Sequence, residues 1–163
     1  MPISLPVEAE KNPMKHKQLP TIGWREWLDL PELGIAQIKA KIDTGARSST
    51  LHAFHIEGFQ RGGREMVRFQ VHPYQRDNYY TVTAEAELVE WRHIRNSGGQ
   101  WQLRPVIHTA IELGGRQWHI ELTLTNRDLM GFRMLVGRQA LRRRFLVNPG
   151  RSYLLGKMVT QWD

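Results

Sequence analysis

From Gly34 to Asp43 the chain alternates, with Ala36, Ile38, Ala40 and Ile42 on one side and Gln37, Lys39, Lys41 and Asp43 on the other. Period two marks a strand with one buried and one solvated face, and it puts Asp43 on the polar face at the strand's end. Further strand-like runs follow at roughly 50–57, 64–72, 79–91, 101–113 and 116–125. Glycines punctuate them at Gly58, Gly62-Gly63, Gly98-Gly99 and Gly114-Gly115, and ELGGRQWHIEL reads as a hairpin turning through Gly114-Gly115. Only Arg138–Phe145, after the apolar run Met134-Leu135-Val136 and Gly137, has helical character. Short strands, frequent turns and one short C-terminal helix predict an all-β barrel or sandwich.

Residues 1–20 hold Pro2, Pro6, Pro13 and Pro20 and no periodicity, which predicts a flexible N-terminal arm and leaves 21–163 as one domain. No apolar run reaches the ~20 residues of a membrane span, and the N-terminus has no signal-type apolar stretch. No membrane association is expected. With no cysteine in 163 residues, Cys nucleophiles and Cys-bound zinc are excluded, and a reducing, cytoplasmic location is expected. The formal charge is +7; Lys11, Lys15 and Lys17 against Glu8 and Glu10 leave +6 for the domain. Such a surface attracts acidic partners without choosing among them.

Phosphate-binding glycine loops are missing, so direct ATP binding has no support and no cofactor is expected. Seven histidines include no His-Glu-x-x-His, and His52 and His55 stand three apart in a predicted strand, on opposite faces. Ordinary surface or hydrogen-bonded histidines are the expectation, and no metal ligand is assigned. Arg142, Arg143 and Arg144 could contact phosphate, but they spread around a helix, and the six tryptophans are not interleaved with them. Nucleic acid is therefore not the expected partner.

Asp43 opens the tripeptide Asp43-Thr44-Gly45, followed by Ala46, inside KAKIDTGARSST at 39–50. Taken alone this is a strand-to-turn Asp with a glycine for the turn. Its context is a clean strand before it and, far downstream, MLVGRQAL at 134–141, where apolar residues, Gly137 and Arg138 lead into the helix. The pair resembles retropepsin-like aspartic proteases, which carry Asp-Thr-Gly-Ala after a strand and an apolar-Gly-Arg segment supporting that loop. The match is closer to a bacterial family labelled ATP-dependent zinc protease, often linked with ATP-grasp ligases that glutamylate ribosomal protein. TIGWREWLDLPELGI at 21–35, AKIDTGARSSTLHA at 40–53, ELTLTNRDLMGFRMLVGRQAL at 121–141 and FLVNPGRSYLLG at 145–156 carry the likeness.

The resemblance implies a retropepsin-like acid-protease barrel and an aspartic endopeptidase. Such hydrolysis needs two carboxylates sharing a proton. The chain has one Asp-Thr-Gly, so the second carboxylate is expected from another copy, in a C2 homodimer with Asp43 at the axis. By the same resemblance Thr44 braces the paired loops, Gly45 and Ala46 admit substrate backbone, and Gly137 and Arg138 support the loop. A flap is implied too: the Gly62-Gly63 turn is one candidate, and the turn near Ser97-Gly98-Gly99 another. Where viral retropepsins place an acid to pair with the later arginine, this chain has Arg47, a specificity candidate for acidic or glutamylated peptides. An ATP-grasp ligase is the implied partner and carrier of the ATP connection. A non-catalytic peptide- or protein-binding barrel and a zinc-dependent peptidase remain alternatives.

Overall fold

The computed structural model describes residues 18–156, so the arm expected at residues 1–20 lies almost wholly outside the described residues. The strands are β1 (Thr21–Gly23), β2 (Arg25–Leu30), β3 (Ile35–Asp43), β4 (Ser49–His52), β5 (Phe54–Arg61) and β6 (Arg64–Val71). They continue as β7 (Val82–Arg95), β8 (Trp101–Leu113), β9 (Arg116–Thr125), β10 (Met134–Gly137) and β11 (Leu146–Asn148). A 3-10 turn spans Pro31–Leu33, and one short helix, α1, spans Arg138–Leu141. Among the described residues no helix is long and apolar enough to cross a membrane.

Strands β2, β3, β10, β4, β9 and β8 pair in that order, and the Asp29–Glu112 bridge between β2 and β8 closes the ring. The result is a six-stranded, all-β barrel. Closure removes the sheet edges and lets alternate residues of each strand fill one interior. Leu28, Leu30, Ile38, Ala40, Leu51, Ile107, Ile111, Leu122, Leu124, Met134 and Val136 are all buried in that core. Each larger side chain among them contributes about 1.5–3 kcal/mol of burial. Strands β7, β6 and β5 continue outward from β8 as a sheet whose outer ion pairs join Arg61 and Arg68 to Glu85.

Two local expectations are corrected. The alternation of β3 does not run through Ala36, which is exposed while Ile35 is buried. Gln37 takes φ +57, and the register against β2 slips between Leu28 and Leu30, so one extra residue bulges and reverses the faces before it. Asp29 Oδ1 accepts the Gln37 N–H at 2.8 Å. Likewise the helix stops at Leu141 instead of running to Phe145, because Arg142 is extended and Arg143 takes φ +65. That turn swings Phe145 into the core, 5.5 Å from the ring of Trp118. The Gly114-Gly115 hairpin is present, both glycines having positive φ as a tight right-twisting turn demands.

A less legible feature ties the chain end to the barrel. The alternation of β2 that buries Leu28 and Leu30 also buries Glu26, fully inaccessible. Its carboxylate accepts four backbone N–H bonds, from Gly23 (2.6 Å), Leu154 (2.8 Å), Leu155 (3.0 Å) and Gly156 (2.6 Å). Residues 151–156 are laid along β2 by further bonds from Trp24 N–H to Arg151 O and from Tyr153 N–H to Arg25 O. A side chain at Gly156 would collide with the Trp27 carbonyl, so the strap needs glycine there. Glu26→Gln keeps the shape but turns an N–H₂ toward N–H donors. A loss of about 2–4 kcal/mol is expected, read as a lower urea midpoint at unchanged m-value.

Candidate active site

Asp43 ends β3 directly beside Gly137, the last residue of β10, in a parallel register that also pairs Ala40 with Met134 and Ile42 with Val136. On its other side β10 pairs antiparallel with β4, through Met134–Leu51 and Leu135–Thr50. Strands β3 and β4 are therefore not neighbours. The loop 44–48 that joins them must cross over the end of β10. This crossing explains the small residues in the sequence. A side chain at Gly137 would lie 2.8 Å from Arg47 O and closer still to Ser48 O. Gly137 has φ −89 and ψ 172, which any residue adopts, so glycine is required by contact alone.

Hydrogen bonds then hold the loop. Gly45 N–H donates to Asp43 Oδ1 at 3.0 Å and Ala46 N–H to Asp43 O at 3.2 Å, closing a tight turn around the carboxylate. From below, Arg138 N–H donates to Ala46 O (2.8 Å) and Gln139 N–H to Arg47 O (3.2 Å). The Arg138 guanidinium reaches Gly45 O at 3.2 Å and Thr44 O at 3.5 Å. With Arg47 in place of an acid, Arg138 braces the loop through backbone carbonyls. Ser49 Oγ accepts the buried Gly137 N–H at 3.0 Å, so the strand end has no orphan donor.

Asp43, half-buried, lines a cleft of about 980 Å³ together with Gly45, Ala46 and Arg47. The register places Lys41, Leu135 and Thr50 on the same wall. The opposite wall is the end of the β7–β8 hairpin, with Ile94, Asn96, Ser97 and Gly98. These two strands outrun their neighbours: β8 pairs with β9 only from Val106 onward, while its pairing with β7 continues to Arg95–Trp101. The projecting tip is fastened by Asn96, whose Oδ1 accepts the N–H groups of Gly98 and Gln100. Of the two flap candidates, the Gly62-Gly63 turn caps the β5–β6 hairpin and is not in this lining. It lies on the outer sheet, joining the second and third strands out from β8, so the cleft wall comes from the 96–100 turn.

The cleft is strongly basic. Lys41, Arg47, Arg95, Arg104 and Arg127 line it against two acids, Asp43 and Asp128. Of these cations only Arg47 was singled out from the sequence; Lys41, Arg95, Arg104 and Arg127 were missed, and WQLRPVIH carries no sign that its arginine faces inward. Asp128 was missed as well; its Oδ1 accepts the N–H of Gly131 in its own turn, at 3.3 Å. Thr44 is exposed. His52 and His55 find separate partners, Asn126 O and Gln70 Oε1. Among the described residues no three His, Asp or Glu side chains are grouped to hold a metal ion.

A family model described as RimB-like, retropepsin-like aspartic endopeptidase RimB, matches residues 21–158. Proteins called probable alpha-L-glutamate ligase, from Shewanella pealeana and Desulfotalea psychrophila, are each 46% identical to this chain over 136 and 137 residues. These matches cover 83% and 84% of the chain, which spans only 30% of the length of those relatives. A crystal structure of a Legionella pneumophila protein of unknown function matches with a TM-score of 0.68 at 27% identity. It covers 85% of this chain and 99% of that one.

Gly137→Ala tests the crossing. Overpacking against two carbonyls is expected to cost about 1–3 kcal/mol, read as a lower melting temperature. Gly62→Ala, where a side chain would meet open space but at φ +59, is expected to cost less, about 1 kcal/mol.

Proposed function

We propose that this chain, which belongs to the RimB-like family of retropepsin-like aspartic endopeptidases, hydrolyses peptide bonds with Asp43 as one half of a carboxyl pair. The observation that carries the reading is Asp43 at the floor of a wide cleft, on a loop braced by Gly137 and Arg138. The Gly45 N–H fixes one carboxylate oxygen and leaves the other for water. The ionised partner takes a proton from that water as its oxygen attacks the peptide carbonyl carbon. The protonated partner gives its proton to the carbonyl oxygen. Collapse of the tetrahedral adduct breaks the C–N bond, and the departing nitrogen takes back a proton. Two carboxyls this close share one proton, so they titrate as a pair.

The second carboxyl is Asp43 of another copy, in a C2 homodimer where Thr44 braces loop against loop and Gly45 and Ala46 admit substrate backbone. Asp128 is the other acid of the same cleft that could serve within one chain; like Asp43 it accepts one backbone N–H of its own turn, and the Asp128→Asn variant below separates the two. The 96–100 turn covers bound peptide and excludes water. The basic lining favours an acidic peptide, with Arg47 at the cleft as one determinant of that preference. Relatives named as glutamate ligases support peptides carrying added glutamate as substrate and a ligase of the ATP-grasp type as partner.

Those relatives also favour a second reading, a module that binds acidic peptide for a ligase without cutting it. Wild type, Asp43→Asn and Asp128→Asn are compared on an acidic peptide library, with and without chelator. Cleavage is expected to fall at least ~10³-fold in Asp43→Asn, on the scale of losing an essential acid–base group, to persist in Asp128→Asn, and to ignore chelator. Binding without cleavage in every protein would select the second reading. Sedimentation equilibrium with a bound transition-state peptide is expected to give a dimer; a fully active monomer would remove the two-chain site. Arg47→Ala is expected to slow cleavage of acidic peptides more than neutral ones, and an equal effect on both would end its role in specificity.

A further inference from the structure

Arg104 is a cation without a counter-charge. It is 6% exposed, yet it takes part in none of the ion pairs among the described residues. The outer-sheet arginines do otherwise: Arg61 and Arg68 share Glu85, and Arg92 holds both Glu90 and Glu121. No Arg104 nitrogen is among the fully buried, unpartnered polar atoms, so its free Nη groups open onto the cleft, and with no internal acid their charge is left for something else to meet. The one neighbouring charge that acts on it is Arg127, of the same sign. Burial, and then Arg127, push the Arg104 pKa down from the usual arginine range.

The position of the group is built. Arg104 Nε donates to Gln102 Oε1 at 2.8 Å, the only hydrogen bond of its side chain among the described residues. The same oxygen accepts from Thr125 Oγ1 at 3.0 Å, and Thr125 Oγ1 in turn accepts the Arg127 N–H at 3.1 Å. Thr125 is buried, so this chain of bonds links the Arg104 side chain to the backbone of Arg127 through the interior. With Nε occupied, the guanidinium has only its Nη1 and Nη2 edge to offer, the fork that matches the two oxygens of a carboxylate. Both Arg104 and Arg127 line the cleft that holds Asp43.

We propose that Arg104, positioned by Gln102 and Thr125 and assisted by Arg127, is the carboxylate-binding subsite of this cleft. It receives one acidic group of an extended peptide lying across Asp43. The inference rests on reading the cleft as a peptide site, but not on cleavage. Its ligand is a carboxylate, either of a glutamate side chain or of the peptide's C-terminus.

The test is fluorescence anisotropy of labelled tetraglutamate, with a free or amidated C-terminus, and of tetraglutamine amidated at its C-terminus so that it carries no carboxylate. Each is titrated with the full chain, with Arg104→Met and with Arg104→Lys, alongside melting curves. Wild type is expected to prefer tetraglutamate. Arg104→Met is expected to weaken that peptide ~10- to 100-fold, the worth of a charge-assisted fork, to leave tetraglutamine unchanged, and to melt no lower than wild type. Arg104→Lys, which keeps the charge but not the fork, is expected to recover part of the affinity. Equal losses for the free and amidated peptides identify a side-chain carboxylate, and a loss confined to the free form identifies the C-terminus. Either result supports the subsite. A wild type without preference for tetraglutamate overturns it. So does an Arg104→Met that melts several degrees lower while Arg104→Lys restores stability with wild-type affinities. Because no arm reads hydrolysis, an inactive protein that still loses its preference in Arg104→Met refutes the protease reading and leaves the subsite standing.

Discussion

The insertion of β10 between β3 and β4 is the constraint on which the remaining architecture depends. Two strands joined by five residues would ordinarily pair with each other, yet here a segment from about ninety residues downstream occupies the space between them. The connecting loop is forced over the end of β10, where only a glycine leaves room for the carbonyls of Arg47 and Ser48. Once the loop is pressed there, its polar backbone must be satisfied from below, and the start of α1 supplies N–H donors at Arg138 and Gln139. The Asp43 carboxylate is held at a fixed point because its loop has no slack. Backbone bonds on both sides of the loop thus fix the carboxylate's place in the cleft.

Around that point the barrel and its projections divide the work. Ring closure through β2 and β8 gives a core without exposed edges, and the strap at 151–156 is locked to it by the buried Glu26 carboxylate. A buried acid usually needs a cation. Here four peptide N–H groups take that place, which makes the end of the described chain integral to β2 instead of a loose tail. Strands β7 and β8, by contrast, run past their neighbours and end in a tip supported on neither flank. That wall of the cleft lacks the lateral pairing that holds the floor on both sides.

Charge is also divided. On the outer sheet, arginines are neutralised by glutamates in exposed pairs worth little to stability. In the cleft, five cations meet two acids, and the most deeply buried cation has no partner. Part of the positive charge seen in composition thus faces the cleft, five cations against two acids. Low-dielectric walls strengthen the field of those groups toward an approaching anion.

Alternation and glycine spacing made most strands legible, because each depends on a handful of consecutive residues. The hairpin at Gly114-Gly115, the run ending at Asp43 and the paired elements DTGA and LVGR could all be read in the linear chain. The faces of β3 before Gln37 were misread because a bulge shifts the period by one residue, and a bulge is set by the partner strand. The helix after Gly137 was read too long because burial of Phe145 against Trp118, a contact across the fold, ends it. Glu26, Arg104 and Asp128 carried no local signature at all. A buried carboxylate with four N–H donors, or an inward arginine with no acid, is defined by residues up to 130 positions away. The chain alone determined its all-β class and singled out Asp43 as the candidate reactive acid. Only the tertiary structure decided which turn walls the cleft, which cations face it and what holds the loop in place, because those depend on strand order, and strand order is a property of closure, not of any one segment.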